Sequence, residues 1–162
     1  MKKIILIRHA KSSWDNPWLD DYERPLAERG LLDAPKMAAS LKKRGIDIDL
    51  ICSSTAQRAK QTASITAEVL GYPEEKIFWD KSLYHASANH LLQFIQSQSD
   101  QIQTLAVVGH NPGLTELINL LGVNLDNLPT AGQFAFSLAT APWRELNKNT
   151  CSYFWIDYPK KN

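Results

Sequence analysis

Ile4-Ile5-Leu6-Ile7-Arg8-His9-Ala10 sets four consecutive apolar residues directly before an arginine and a histidine. An unbroken apolar run of this length suits a strand buried on both faces, as in a parallel sheet covered by helices. Open α/β sheets bind ligands just beyond the carboxyl ends of their strands, which is where Arg8 and His9 stand. A strand that merely ends in polar residues would look the same, so recurrence of the pattern decides. Leu105-Ala106-Val107-Val108-Gly109-His110 is a second apolar run closed by a histidine. Between them, Asp49-Leu50-Ile51-Cys52-Ser53-Ser54 leads into Thr55-Ala56-Gln57-Arg58. Ser54 and Gln57 have the spacing of a capping box, which predicts a helix beginning after Ser54 with Arg58 in its first turn. Parallel strands of one sheet share a carboxyl edge. Arg8, His9, Arg58 and His110 can therefore meet in one pocket.

Two guanidiniums facing one pocket point to an anion. Their fork matches phosphate bidentately and stays charged at any working pH. A helix N-terminus beside them adds free N–H groups and a favourable dipole. Histidine serves as nucleophile, base or acid near neutral pH. Together these groups fit phosphoryl transfer through a phosphohistidine intermediate. The chain shows no P-loop pattern and no carboxylate set placed for magnesium, so no metal or other cofactor is expected.

The same residues fall into four ordered motifs: Arg8-His9 after the first strand, Asp21-Tyr22-Glu23-Arg24-Pro25-Leu26-Ala27-Glu28-Arg29-Gly30, Ser53-Ser54-Thr55-Ala56-Gln57-Arg58-Ala59-Lys60-Gln61-Thr62, and Val108-Gly109-His110-Asn111-Pro112. In these, from Lys3 to about Phe136, the chain resembles the histidine phosphatase superfamily, and most of all its small SixA-type phosphohistidine phosphatases. The resemblance implies that His9 is the nucleophile and that Arg8, Arg58 and His110 bind the phosphoryl oxygens. Many members carry glycine where Ala10 stands, and a left-handed backbone at Ala10 would be strained. The late glutamate that often protonates the leaving group has no counterpart in Ser82-Leu83-Tyr84-His85-Ala86. The resemblance assigns that role to Asp21, with Asp20 and Glu23 as rivals.

Composition bounds the rest. The chain has 162 residues, 18 basic and 17 acidic, for a formal net charge of +1. One domain spanning 1–162 is expected, and nothing in the balance favours binding nucleic acid through bulk charge. The apolar run after Met1-Lys2-Lys3 is too short for a signal-peptide core, and no run reaches transmembrane length. A cytoplasmic protein, without membrane partners and monomeric, is the expectation. Of the two cysteines, Cys52 reads as a small core residue and Cys151 as a strand start, with no disulfide between them. His90 is expected at the surface. His85 and the trio Lys11, Ser12 and Ser13 are left open as substrate contacts.

Alternating strands and helices give the expected architecture: an α/β, three-layer α/β/α sandwich with a mostly parallel central sheet. Helices are predicted over residues 33–44, with Pro35 near the start, over 55–70, and from Ser87 onward. Strands are predicted at 50–52, 77–79 and 105–108, with a final antiparallel pair. The interval from Gly71 to Thr104 holds one strand and one helix. It leaves no room for the helical lid insertion that mutases and acid phosphatases of the superfamily carry. An open pocket suits a phosphorylated protein, such as a histidine phosphotransfer domain, better than a small phosphate ester, which remains the alternative beside a non-catalytic phosphoprotein-binding module. Trp14 and Trp18 are expected to pack the loop after His9 onto the body rather than line the pocket mouth.

Overall fold

The computed structural model describes residues 1–160. The opening apolar run forms β1 (Lys2–Arg8) at the centre of a six-stranded sheet. It is followed by α1 (Glu28–Lys43), β2 (Leu50–Ser53), α2 (Gln57–Leu70), β3 (Phe78–Trp79), α3 (Ala88–Gln96), β4 (Thr104–Gly109), α4 (Gly113–Leu120), β5 (Gln133–Leu138) and β6 (Cys151–Asp157). The sheet order is β3-β2-β4-β1-β5-β6. The first four of these strands run parallel; β5 pairs antiparallel with β1, and β6 with β5. Arg8 lies level with Gly109, and Ser53 with Val108. The carboxyl ends of β1, β2 and β4 thus share one edge.

Burial of β1 on both faces explains its lack of alternation. Ile4 and Leu6 face one layer, with Leu105, Val107, Phe134 and Phe136, against Leu91 and Ile95 of α3 and Leu114, Leu117 and Ile118 of α4. Ile5 and Ile7 face the other, with Ile51, Ala106 and Val108, against Leu41 of α1 and Ala59, Ala63 and Ala67 of α2. The alanine row on α2, spaced by four, lies on one side of that helix. Small side chains there let the helix sit close to the strands that carry the site. The three-layer sandwich follows from these two interfaces. Among the described residues no helical insertion interrupts the segment between α2 and β4, and no helix is long and apolar enough to cross a membrane.

Two helix starts differ from the sequence expectation. α1 begins at Glu28, not near residue 33, so Pro35 lies inside it. Leu31 and Leu32 are exposed, which hides the apolar period of the first turns. The carbonyl that Pro35 leaves without an in-helix donor belongs to half-exposed Leu31, where solvent can take its place. Asp33 is no cap; it is buried and takes an ion pair from Arg29 one turn earlier, at 2.9 Å. α2 begins at Gln57, after Ala56, without the capping box. The Ser54 hydroxyl instead accepts the Ala56 N–H at 3.2 Å and pairs with His110 Nε2 at 2.8 Å. Both helix ends on this side close as predicted, with Gly45 and Gly71 each at φ 73°. Both cysteines are free.

Candidate active site

His9 sits one residue past β1 yet remains part of the sheet ladder. Its N–H donates to Gly109 O at 3.1 Å, and its carbonyl accepts from Ala131 N–H at 3.0 Å. The next residue is anchored too, Ala10 N–H donating to Thr62 Oγ1 on α2 at 3.0 Å. Ala10 is not among the residues with positive φ, so the strain feared there does not arise. The imidazole is oriented from both sides. Nδ1 lies 2.7 Å from Ala10 O, a pure acceptor, which assigns the ring proton to Nδ1. Nε2 then keeps its lone pair and faces Arg58, whose Nε–H reaches it at 3.4 Å. The ring is only 7% exposed. Burial pulls its pKa down from 6.5 to about 4; the Ala10 bond works the other way, while the charges of Arg58, Arg8 and Arg24 add to the fall. His9 is therefore a neutral imidazole at ordinary working pH.

Around it stand the other strand-end residues. Arg58, in the first turn of α2 and 4% exposed, sends its terminal nitrogens to Asp21: one to the backbone O at 2.6 Å, the other to Oδ2 at 2.9 Å. Arg8 donates to Leu128 O at 3.0 Å and leaves its Nε buried without an acceptor. The ring of His110 is tilted beside that of His9, centroids 5.1 Å apart, and its Nδ1 is buried without a partner. Burial is also the main reason that His110 is held neutral, with the neighbouring His9 and Arg58 adding to it. An uncompensated buried donor costs roughly 1–3 kcal/mol, which an oxyanion accepting from it would remove.

These side chains line a cavity of about 270 Å³ together with Lys11, Ser12, Trp14, Arg24, His85, Asn111 and Thr130. Larger hollows lie beside α4 and beside Tyr72, but neither is lined by an arginine or a histidine. All four strand-end residues expected to converge do so. Lys11 and Ser12 line the cavity, whereas Ser13 shapes the loop by accepting Asp15 N–H at 3.0 Å. Arg24, not singled out from the sequence, is buried, donates to Ser12 Oγ at 2.9 Å and stacks over the Trp14 ring at 3.5 Å. The Arg24-Pro25 pair inside the second motif was its signal. Trp14 and Trp18 do not pack the loop down: they are 75% and 91% exposed. The loop is held instead by a Ser12–Leu26 bridge and by Leu26, buried with Ala34 and Met37 of α1. Trp14, with Arg24 stacked on it, stands at the rim of the cavity, and Trp18 lies beyond it in the same loop.

Asp21 comes to the site, and its rivals Asp20 and Glu23 stay exposed outside it. Its form is not the one expected of an acid. Oδ1 accepts from Arg24 Nε at 3.2 Å; Oδ2 accepts from Arg58 at 2.9 Å and from the Tyr84 hydroxyl at 2.6 Å. Partial burial alone would raise its pKa, but the bonds from Tyr84 and Arg58 and the charge of Arg58 outweigh it, holding the carboxyl well below the usual range. Asp21 is an ionised acceptor, and it has no proton to give. His90, by contrast, lies at the surface as expected.

The arrangement offers one chemistry plainly: a neutral ring nitrogen whose lone pair faces Arg58, beside three guanidiniums, in one small cavity. The profile of the histidine phosphatase superfamily, branch 1, matches residues 4–81. An uncharacterised chloroplastic protein of Arabidopsis thaliana is 34% identical over 152 residues, 89% of this chain and 70% of the relative. A protein of Agrobacterium tumefaciens assigned as the phosphohistidine phosphatase SixA superposes with a TM-score of 0.83 at 27% identity, over 98% of each chain. The protein histidine phosphatase SixA solved with tungstate shares the fold at a TM-score of 0.81 and 19% identity, over 96% of each chain.

Proposed function

The chain belongs to the histidine phosphatase superfamily and is a phosphatase; from that premise we propose that it removes phosphoryl groups from phosphohistidine on a protein, through an intermediate on His9. The observation that carries the mechanism is the tautomer of His9. With Nδ1–H tied to Ala10 O, the lone pair on Nε2 is the one available for attack, and it lies on the Arg58 side of the ring. Nε2 attacks phosphorus in line as the bond to the leaving group breaks. Arg8, Arg58 and His110 hold the equatorial oxygens through the transition state and the phosphoenzyme. Water then takes the phosphoryl group from Nε2. Positioned cations supply most of the rate in such transfers. Here they are guanidiniums, so turnover is expected to persist in chelator.

The protein substrate rests on the shape of the entrance. The cavity is near the lower bound for a pocket that engulfs a small molecule, and no helical insertion covers it among the described residues. Trp14 on its rim and Trp18 in the same loop present apolar surface to solvent. Exposed tryptophans suit a protein surface that buries them on docking.

The test is hydrolysis of a histidine-phosphorylated carrier protein in chelator by wild type and by His9→Ala. Rapid release that vanishes in the variant is the expected result. His9-dependent cleavage of an aryl phosphate without release from the carrier would move the substrate to small esters. No turnover of either would overturn the catalytic reading in favour of a binding module.

A further inference from the structure

We propose that His85 protonates the departing atom, and that Asp21, ionised beside it, is the positioning residue that holds its ring. This deepens the phosphatase reading above and rests on it. The role is vacant: no carboxylate lines the cavity, and the nearest one, Asp21, is locked as an acceptor by Arg58, Arg24 and Tyr84. His9 and His110 are buried, each occupied with the phosphoryl group. His85 differs from both. It lines the same cavity with its side chain 58% exposed, so it stands at the mouth while the nucleophile sits at the floor. In an in-line attack the leaving group departs away from the nucleophile, toward the mouth.

The posture of His85 is held by contacts of three kinds. Its Nε2 lies 3.4 Å from Asp21 Oδ2. Its ring stacks on Tyr84, centroids 4.0 Å apart, and meets His110 edge-on at 5.9 Å. Its backbone lies in the left-handed region, φ 54°, uncommon for a side-chain-bearing residue. Such a conformation persists only where the surroundings enforce it, and such residues cluster at functional sites. Gly113 at the start of α4 helps to enforce it here: a Cβ there would stand 2.1 Å from Ala86 O. The missing side chain lets the 84–86 segment press against α4 and turn His85 inward. With Nε2–H facing Asp21, Nδ1 is the atom left to exchange a proton, and no described group bonds to it.

The steps balance as follows. A bond forms between His9 Nε2 and phosphorus. The bond from phosphorus to the leaving nitrogen or oxygen breaks, and its electron pair stays on that atom, which takes the proton from His85 Nδ1. In the second step water attacks phosphorus and returns a proton to Nδ1. The bond to His9 breaks with its pair going back to Nε2, and inorganic phosphate leaves.

Rates on p-nitrophenyl phosphate, whose leaving group needs little help, and on phenyl phosphate, whose leaving group needs more, test the assignment. His85→Asn keeps a residue that tolerates a left-handed backbone. It should lose about 100-fold or more on phenyl phosphate, the usual scale of general acid catalysis, and little on p-nitrophenyl phosphate. In His85→Gly, added imidazole should restore phenyl phosphate cleavage. Asp21→Asn should add little further leaving-group sensitivity in the His85→Asn background, because both act through one proton. Equal losses on both esters, or no rescue by imidazole, would overturn the role of His85 while leaving His9-dependent turnover in place. Wild-type cleavage of both esters that survives His9→Ala would instead bring down the phosphatase mechanism, and this assignment with it.

Discussion

Lowering the pH should destabilise the fold through His9, and the size of the effect follows from its burial. The imidazole is held neutral, its pKa pulled from 6.5 to about 4 by desolvation and by Arg58, Arg8 and Arg24. The unfolded chain regains an ordinary imidazole and takes up a proton that the folded one refuses. The lowered pKa fixes the sign: stability from this group is whole above pH 6.5, falls as the pH drops below that, and is lost as the pH passes below about 4. Complete titration across that gap is worth about 3 kcal/mol, at 1.36 kcal/mol for each unit. Between pH 7 and pH 5 about 2 kcal/mol of it should go, because the unfolded histidine is nearly all protonated at pH 5 while the folded one is about nine-tenths neutral. His9→Asn removes the titrating ring and keeps an amide able to donate to Ala10 O. Urea unfolding of both proteins at the two pH values isolates the difference, since every other group titrates in each. The wild type should lose about 2 kcal/mol more than the variant. Equal losses would refute the claim that His9 is neutral because the fold excludes water from it.

Arg58→Ala should lower kcat on p-nitrophenyl phosphate by about a thousandfold, the scale of one clamp arginine, whereas Arg29→Ala, a half-exposed partner of Asp33, should leave kcat unchanged. Comparable losses would undo the clamp. Gly30→Ala would set a Cβ 2.2 Å from the Lys11 carbonyl. Thermal unfolding should show a cost of about 1–3 kcal/mol as α1 is pushed off the loop, and an unaltered melt would mean the loop yields freely. Trp14→Ala with Trp18→Ala should depress kcat/KM on the phosphorylated carrier protein and spare the aryl ester; parallel losses would show that the indoles serve the loop and not docking.

The sequence disclosed the scaffold and the buried half of the site for one reason. Both are written in contiguous signals: apolar runs long enough to be two-faced strands, two of them ending at Arg8-His9 and at His110, and a third leading into the helix that carries Arg58. Arg8, His9, Arg58 and His110 were legible because the sheet's parallel register brings strand ends together without any detail of side-chain packing. The errors came where a local pattern met a tertiary demand. Ser54 has the spacing for a cap, yet His110 takes its hydroxyl. The early start of α1 was hidden because exposed Leu31 and Leu32 break the apolar period and because Gly30, a poor helix former, is there for a close approach to the Lys11 carbonyl. The expectation for Asp21 placed the residue correctly but not its charge, since that depends on Tyr84, 63 residues away. The tryptophans were misjudged because size and apolarity argue for burial unless another contact anchors the loop.

His9 and Arg58 hang from the sheet and from α2, while Trp14, Trp18, Asp21 and His85 hang from two connecting segments. This is a division of labour between a part fixed by the sheet and a part carried on loops. The residues proposed to hold the phosphoryl oxygens are placed by the sheet edge and by the first turn of α2. On the proposed reading, partner choice and proton supply reside in these two connecting segments. Retuning what docks, or how hard its leaving group is pulled, then falls to these segments while the strand-end residues stay in place, and Asp21 is the loop residue that joins the two parts, because it holds Arg58. Exchanging these two segments with those of a relative would test whether specificity travels with them.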